Sequence, residues 1–205
     1  YGLFAMPDGV GCAVHAGAKL YFRAPDGTQT ELCADMNEAF SQSFTMKGVL
    51  YLMDGKTYRA VRKSSKNTAW EAVSVSGTAY VPTTTISAAP TGGGTSYEAV
   101  NLLTPKRINT FIGDGTATQF KVDATDLDET AVTAEVNGSA VTVSAVNRST
   151  GLVTLAAAPA NGNGLANVSI AFAKTVSGHA DKINKCRFAG LYGGKNDTRV
   201  FLSGN

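Results

Sequence analysis

The chain has 205 residues, of which 43% are hydrophobic, only 17% are charged and 22 are glycine, with a formal net charge of +2. That length can bury real cores, and few charges beside many glycines, threonines and valines point to a β-rich, turn-rich protein. Basic and acidic residues are mixed along the chain, so the basic footprint of a nucleic-acid binder is missing, and no apolar run reaches the roughly 18 residues of a membrane span.

Residues 1–82 read as successive hairpins. Cys12 to His15 and Lys19 to Phe22 are strand-like and joined around Gly17, and Pro25-Asp26-Gly27 turns the chain into Gln29 to Cys33. Proline presets φ for such a turn and glycine takes the conformation other residues resist. The pattern returns at Ser43 to Met46, Val49 to Met53 and Thr57 to Val61, with turns at Lys47-Gly48 and Asp54-Gly55. Trp70 to Val75 follows a polar loop, Lys63 to Asn67. Leu20-Tyr21 and Leu50-Tyr51 each stand just past a glycine turn, about thirty residues apart. The spacing suggests propeller blades or an irregular meander of the same hairpins.

Residues 83–105, with three threonines, Ala88-Ala89-Pro90 and Gly92-Gly93-Gly94, are expected to form an extended linker. A Walker phosphate loop would need Gly-Lys-Ser/Thr after its glycines, whereas Thr95-Ser96-Tyr97 follows here. Residues 106–174 carry the clearest local signals. Val132, Ala134 and Val136 alternate with polar neighbours, Asn137-Gly138 is a strong hairpin turn, and Val141 and Val143 return. Ser149-Thr150-Gly151 leads into Leu152 to Leu155, and Val168, Ile170 and Phe172 share one strand face. With Thr110 to Ile112 and Gln119 to Val122 this predicts a small antiparallel β-sandwich inserted in the repeats. Residues 175–205 return to the hairpin pattern of residues 1–82, with Ile183 to Leu191 as a strand, a turn at Gly193 to Asp197, then Arg199 to Leu202. The expected fold is all-β, with incomplete propeller-like or meander repeats interrupted by the sandwich. Both ends read as cut, so a fragment of a longer protein is expected.

Candidate chemistry is sparse. His15 and His179 lack a companion motif, and no G-x-S-x-G elbow exists, so both read as structural or surface histidines and no catalytic residue is predicted. Cys12 and His15 resemble half a zinc site without its second half. The three cysteines, Cys12, Cys33 and Cys186, read as free and mostly buried, with a Cys12–Cys33 bridge as the alternative. Asp123, Asp126, Asp128 and Glu129 lack EF-hand spacing and read as a solvated loop, with a weak cation site as the alternative. Asp26-Gly27-Thr28 and Asp114-Gly115-Thr116 lack the tryptophan of a sialidase box and read as turns. No metal or cofactor is expected. Trp70, Tyr51, Tyr58, Tyr80 and Tyr97 could stack on sugars or anchor a protein contact. Trp70 and Tyr97 are retained as candidate interaction residues, Tyr97 because the linker would expose it.

Phe111-Ile112-Gly113-Asp114-Gly115-Thr116, Gln119-Phe120, Val136-Asn137-Gly138, Ser149 to Leu155 and Ala158-Pro159-Ala160 together resemble the small β-sandwich module of bacteriophage tail-fibre and other tail proteins. The match spans almost all of residues 108–172 and specifies a fold without a reaction. Leu20-Tyr21, Leu50 to Gly55, Glu98 to Arg107, Ile183 to Cys186 and Arg199-Val200-Phe201 resemble a phage stabilisation protein family, tail accessory factors joining the portal region to the tail. The resemblance implies a non-enzymatic virion protein of the tail or neck, made in the bacterial cytoplasm. It would be assembled as a homo-oligomeric ring and held by portal and tail proteins, without nucleic acid or membrane. A receptor- or carbohydrate-binding module of a tail fibre is the alternative.

Overall fold

A computed structural model describes residues 1–66, 69–98, 101–193 and 199–205. The chain is all-β and divides into two compact units, Tyr1–Ala79 together with Gly178–Asn205, and Tyr80–Ser177.

The first unit is built from meanders. Strands β1 (Gly2–Ala5), β2 (Cys12–Ala16), β3 (Lys19–Arg23) and β4 (Gln29–Cys33) form one four-stranded sheet, each pairing antiparallel with the next. Strands β5 (Gln42–Met46), β6 (Val49–Met53), β7 (Tyr58–Lys63) and β8 (Trp70–Ser74) repeat the arrangement. One apolar cluster joins both sheets: Met6, Ala13, Leu20 and Met36 with Leu50, Leu52 and Val61. Leu20 and Leu50 are both buried, but they are not equivalent. Leu20 sits on the third strand of its meander and Leu50 on the second of the other. Corresponding strands start 37 to 41 residues apart, so the unit of repetition is a four-stranded meander near forty residues and not a thirty-residue hairpin.

Asp54, fully buried, organises the turn between β6 and β7. Its carboxylate accepts from the amides of Asn37 (2.7 Å), Lys56 (2.9 Å) and Thr57 (2.5 Å) and from Thr57 Oγ1 (2.8 Å). Asn37 Nδ2 donates in turn to the Asp54 carbonyl at 2.9 Å. The turn is thus tied to the chain that links the two meanders, and buried backbone donors that water cannot reach find an acceptor.

Cys12 and Cys33 are free and half-buried, and Cys186 is free and buried. A Cys12–Cys33 bridge does not form, because β3 lies between the strands that carry them and two strand spacings exceed disulfide reach.

A one-turn helix, α1 (Val75–Thr78), follows β8. The second unit then begins, where two stretches of the expected linker, residues 83–105, prove to be strand. Thr83–Ala88 is strand β9 and Thr95–Ser96 is the short edge strand β10. The threonines are β-branched, and that strand preference outweighs the flexibility of the surrounding alanines and glycines. Strand β9 runs parallel to β11 (Lys106–Phe111). Thr84 and Thr85 are buried, and their hydroxyls are used: Asn109 Nδ2 donates to Thr84 Oγ1 at 3.0 Å and Thr85 Oγ1 donates to Asp123 at 2.7 Å.

The remaining strands are β12 (Gln119–Lys121), β13 (Thr133–Val136), β14 (Ser139–Val141), β15 (Val143–Asn147), β16 (Leu152–Leu155) and β17 (Val168–Ala173). They complete a six-stranded sheet, β10-β9-β11-β17-β13-β14, and a three-stranded sheet, β12-β16-β15. Phe111, Phe120, Val153, Leu155, Val168, Ile170 and Phe172 fill the core, with the alternation expected of half-buried strands. Asn137 and Gly138, at φ 51° and 77°, make the tight turn between β13 and β14. Asn109, fully buried, also receives the Asp123 amide at 2.8 Å and donates to Asp123 Oδ2 at 3.0 Å. Asn109→Ala strands these partners and is expected to cost roughly 2–3 kcal/mol, read as a lowered urea midpoint of residues 80–177.

The chain then re-enters the first unit. Ile183 and Asn184, expected at the start of a strand, belong instead to the helical turn α2 (Asp181–Asn184), closed by the Lys185 amide on the Asp181 carbonyl and a Lys185–Asp181 ion pair at 2.9 Å. The strand begins only at β18 (Phe188–Tyr192), which pairs with β19 (Arg199–Ser203). The expected turn at Gly193 to Asp197 lies, past Gly193, outside the described residues.

Candidate functional site

The hairpin β18–β19 exposes a group of aromatic rings on the meander unit. Its register sets Phe188 opposite Ser203, Gly190 opposite Phe201 and Tyr192 opposite Arg199. Side chains alternate along a strand, so Phe188, Tyr192 and Phe201 project from one face. All three are 60% exposed. Tyr192 and Phe201 meet edge to face at 5.7 Å, and the Arg199 guanidinium lies 5.6 Å from the Tyr192 ring. On the other face Ala189, Val200 and Leu202 are half-buried and Leu191 is exposed. Three large rings left in water forfeit apolar burial worth roughly 1.5–3 kcal/mol each, and a contiguous exposed apolar patch marks an interaction site.

The base of the hairpin meets the turn that follows β6. Arg187 packs its guanidinium over Gly55 in the Asp54 turn, and its amide donates to the Ser203 carbonyl at 2.9 Å. Cys186 beside it is buried, donates to the Lys182 carbonyl at 3.3 Å, and burial pushes its thiol pKa up, which keeps it unreactive. Strand β18 approaches β5, whereas among the described strands β19 pairs with β18 alone.

The candidates from sequence fall elsewhere, Trp70 in the meander unit and Tyr97 in the second unit. Trp70 is half-buried against the meander core. Phe22 lies 6.3 Å from its ring and the Lys63 ammonium stands 4.2 Å over its face, itself 3.4 Å from Asp8. With Thr30 and Leu32 these residues line a groove of about 280 Å³. Lys63 thus occupies a face of the indole on which a sugar would stack. Tyr97 is 54% exposed just past β10, its amide bonded to the Thr84 carbonyl at 2.8 Å. Near it in the chain, Thr85, Gly92 to Gly94, Ser96, Lys121, Asp123 and Thr125 border a polar cleft of about 400 Å³ that no aromatic ring lines.

The acidic stretch resolves into separate structural contacts. Asp128 accepts from the Thr175 amide and hydroxyl (2.9 and 2.7 Å), Glu129 pairs with Arg148 at 3.0 Å, and Asp123 serves the Asn109 network. Among the described residues no three His, Cys, Asp or Glu side chains gather as a metal would need. Asp26 and Asp114 are turn residues. The Thr28 amide and the Ala117 and Thr116 amides, respectively, hold their carboxyls below the ordinary value.

His15 is a core histidine. Its Nδ1 lies 2.8 Å from Ser41 Oγ, its Nε2 has no partner, and burial lowers its pKa. The fold therefore keeps the imidazole neutral while the unfolded chain takes up a proton as pH falls through 6.5. Stability of the meander unit is expected to fall with pH just below that value, down to the lowered folded pKa. His15→Gln should flatten this part of the urea-midpoint profile.

Phe188, Tyr192 and Phe201 were not picked out from sequence. A signal was present: apolar residues occupy both alternating sets, Phe188 and Tyr192 on one face of β18 and Ala189 and Leu191 on the other. A half-buried strand would show only one such set. No helix among the described residues is long and apolar enough to cross a membrane. Protein-family models, curated proteins and solved structures provide no match to the chain.

Proposed function

We propose that the chain is a structural component of a bacteriophage particle, placed in the tail or neck, and that it works by being held between neighbouring subunits rather than by catalysis. The observation that carries the reading is the β18–β19 hairpin, with three aromatic rings 60% exposed on one face. Such a surface suits a protein whose interface is completed in an assembly. The phage resemblance of residues 108–172 supplies the setting. Portal and tail proteins, and further copies in a ring, are the partners this setting suggests. A glycan-binding role in a tail fibre draws less support, because the polar cleft has no stacking ring and Lys63 covers Trp70.

Mass spectrometry of purified particles from the genome encoding the chain tests the role. The chain is expected at a fixed ratio to the tail proteins. Its absence from particles, with recovery only from the soluble lysate, would overturn the reading.

A further inference from the structure

We propose that Asn163 is a site of spontaneous deamidation, and that the fold singles it out from the chain's other two Asn-Gly pairs. The chemistry needs no partner protein, so the virion role stands or falls separately.

Asn-Gly occurs at Asn137-Gly138, Asn161-Gly162 and Asn163-Gly164. In such a pair the glycine amide nitrogen attacks the asparagine Cγ, and the missing Cβ leaves the approach open. A C–N bond forms, the Cγ–Nδ2 bond breaks and ammonia leaves, giving a cyclic succinimide. Solvent water then opens the ring at either carbonyl, so the product is aspartate or isoaspartate and nothing is oxidised or reduced. The reaction needs a free glycine amide, a free side-chain amide, and a backbone able to rotate one onto the other.

The three pairs meet these needs unequally. At Asn161-Gly162 both reacting groups are engaged. The Gly162 amide donates to the Gly113 carbonyl at 2.8 Å, and Asn161 Oδ1 accepts from the Asn163 amide at 2.7 Å. The backbone there is also wedged, since a Cβ on Gly162 would stand 2.3 Å from the Leu165 carbonyl oxygen.

At Asn137-Gly138 both groups are without a partner among the described residues, but the turn is braced. The β13–β14 ladder closes it from Val136 opposite Ser139 onwards, and the Asn137 amide donates to the Asn167 carbonyl at 2.8 Å.

At Asn163-Gly164 neither the side chain nor the glycine amide has a partner among the described residues, and no ladder stands behind the turn. Asn163 and Gly164 have φ of 50° and 85°, and the Leu165 amide on the Gly162 carbonyl, at 2.9 Å, closes the turn. Both residues are exposed, and a Cβ on Gly164 would meet nothing within 4 Å. The loop ends are fastened by Asn167, whose side chain accepts from the Gly113 amide and donates to the Ala160 carbonyl, each at 2.8 Å. Rotation at the tip therefore leaves the sandwich in place. The product carries a new carboxylate, which lowers the formal net charge of +2 by one, and isoaspartate adds a methylene to the backbone.

The test is storage of the folded wild-type chain at mildly alkaline pH, followed by peptide mapping. Mass spectrometry reads the mass gained when the amide becomes a carboxylate, and fragment ions separate Asn161 from Asn163. Asn163 is expected to convert roughly tenfold faster than Asn161, as breaking one or two further hydrogen bonds would set, with Asn137 between them. In guanidinium chloride the three rates should converge, because the dipeptide is the same. In the folded chain, an Asn163 rate no higher than that of Asn137 or Asn161 overturns the proposal. So does a ranking that persists unchanged in guanidinium chloride, since the fold would then not be its cause.

Discussion

Asp54→Ala is expected to lower the stability of the meander unit by roughly 3–4 kcal/mol, because it leaves buried donors without an acceptor. Four hydrogen bonds converge on this carboxylate, three of them from backbone amides that no rotamer change can redirect. The effect should extend beyond the turn. Asn37 belongs to the link between the two meanders, and Gly55 next to Asp54 is the seat of Arg187 at the hairpin base. Trp70, the chain's one tryptophan, lies in this unit, so its fluorescence follows the transition in urea. The midpoint should drop sharply, while circular dichroism shows that residues 80–177 still unfold as before. An unchanged fluorescence midpoint would mean that the turn is not tied to the core as described.

Gly151→Ala should have the largest effect of any small substitution in the sandwich. Gly151 has φ +71°, and a Cβ there would stand 2.0 Å from the Ala124 carbonyl oxygen. Left-handed strain and collision with backbone act together, for a loss of roughly 3 kcal/mol or more. Gly138, at φ +77° in the β13–β14 turn, has nothing within 4 Å. Gly138→Ala therefore meets only the strain and should cost roughly 1–2 kcal/mol. Comparing the two by circular dichroism in urea separates close approach from conformation. Equal losses would refute the close approach at Ala124.

These two sites also show what the sequence could and could not disclose. Gly138 was readable because Asn-Gly between alternating strands is a local signal, complete within a few residues. The burial of Val168, Ile170 and Phe172 followed from period-two alternation in the same way. Gly151 was seen as a turn glycine, but its pressure against Ala124 arises from a partner 27 positions away, and no local pattern carries that. Asp54 looked like an ordinary aspartate-glycine turn, since burial of a carboxylate depends on donors brought from Asn37.

The linker expectation failed for a related reason. The glycines, prolines and alanines among residues 83–105 suggested a linker, while the strand preference of Thr83 to Thr85 becomes decisive only when β11 lies alongside. At Trp70 the residue type suggested a platform, and only the fold shows Lys63 over its face. With apolar residues on both faces of the hairpin, local pattern does not tell which face is buried, and only the fold shows Phe188 and Phe201 exposed.

If the chain works through the exposed hairpin, its incorporation into particles depends on the hairpin rings. Particles would be grown with the wild-type chain or with a Phe188→Ser, Phe201→Ser chain whose Trp70 fluorescence shows the fold intact. Gold-labelled antibody would then be counted on purified particles. Wild-type label is expected at the tail or neck alone, with the folded variant left in the soluble fraction. Variant label at the wild-type position and level would contradict it.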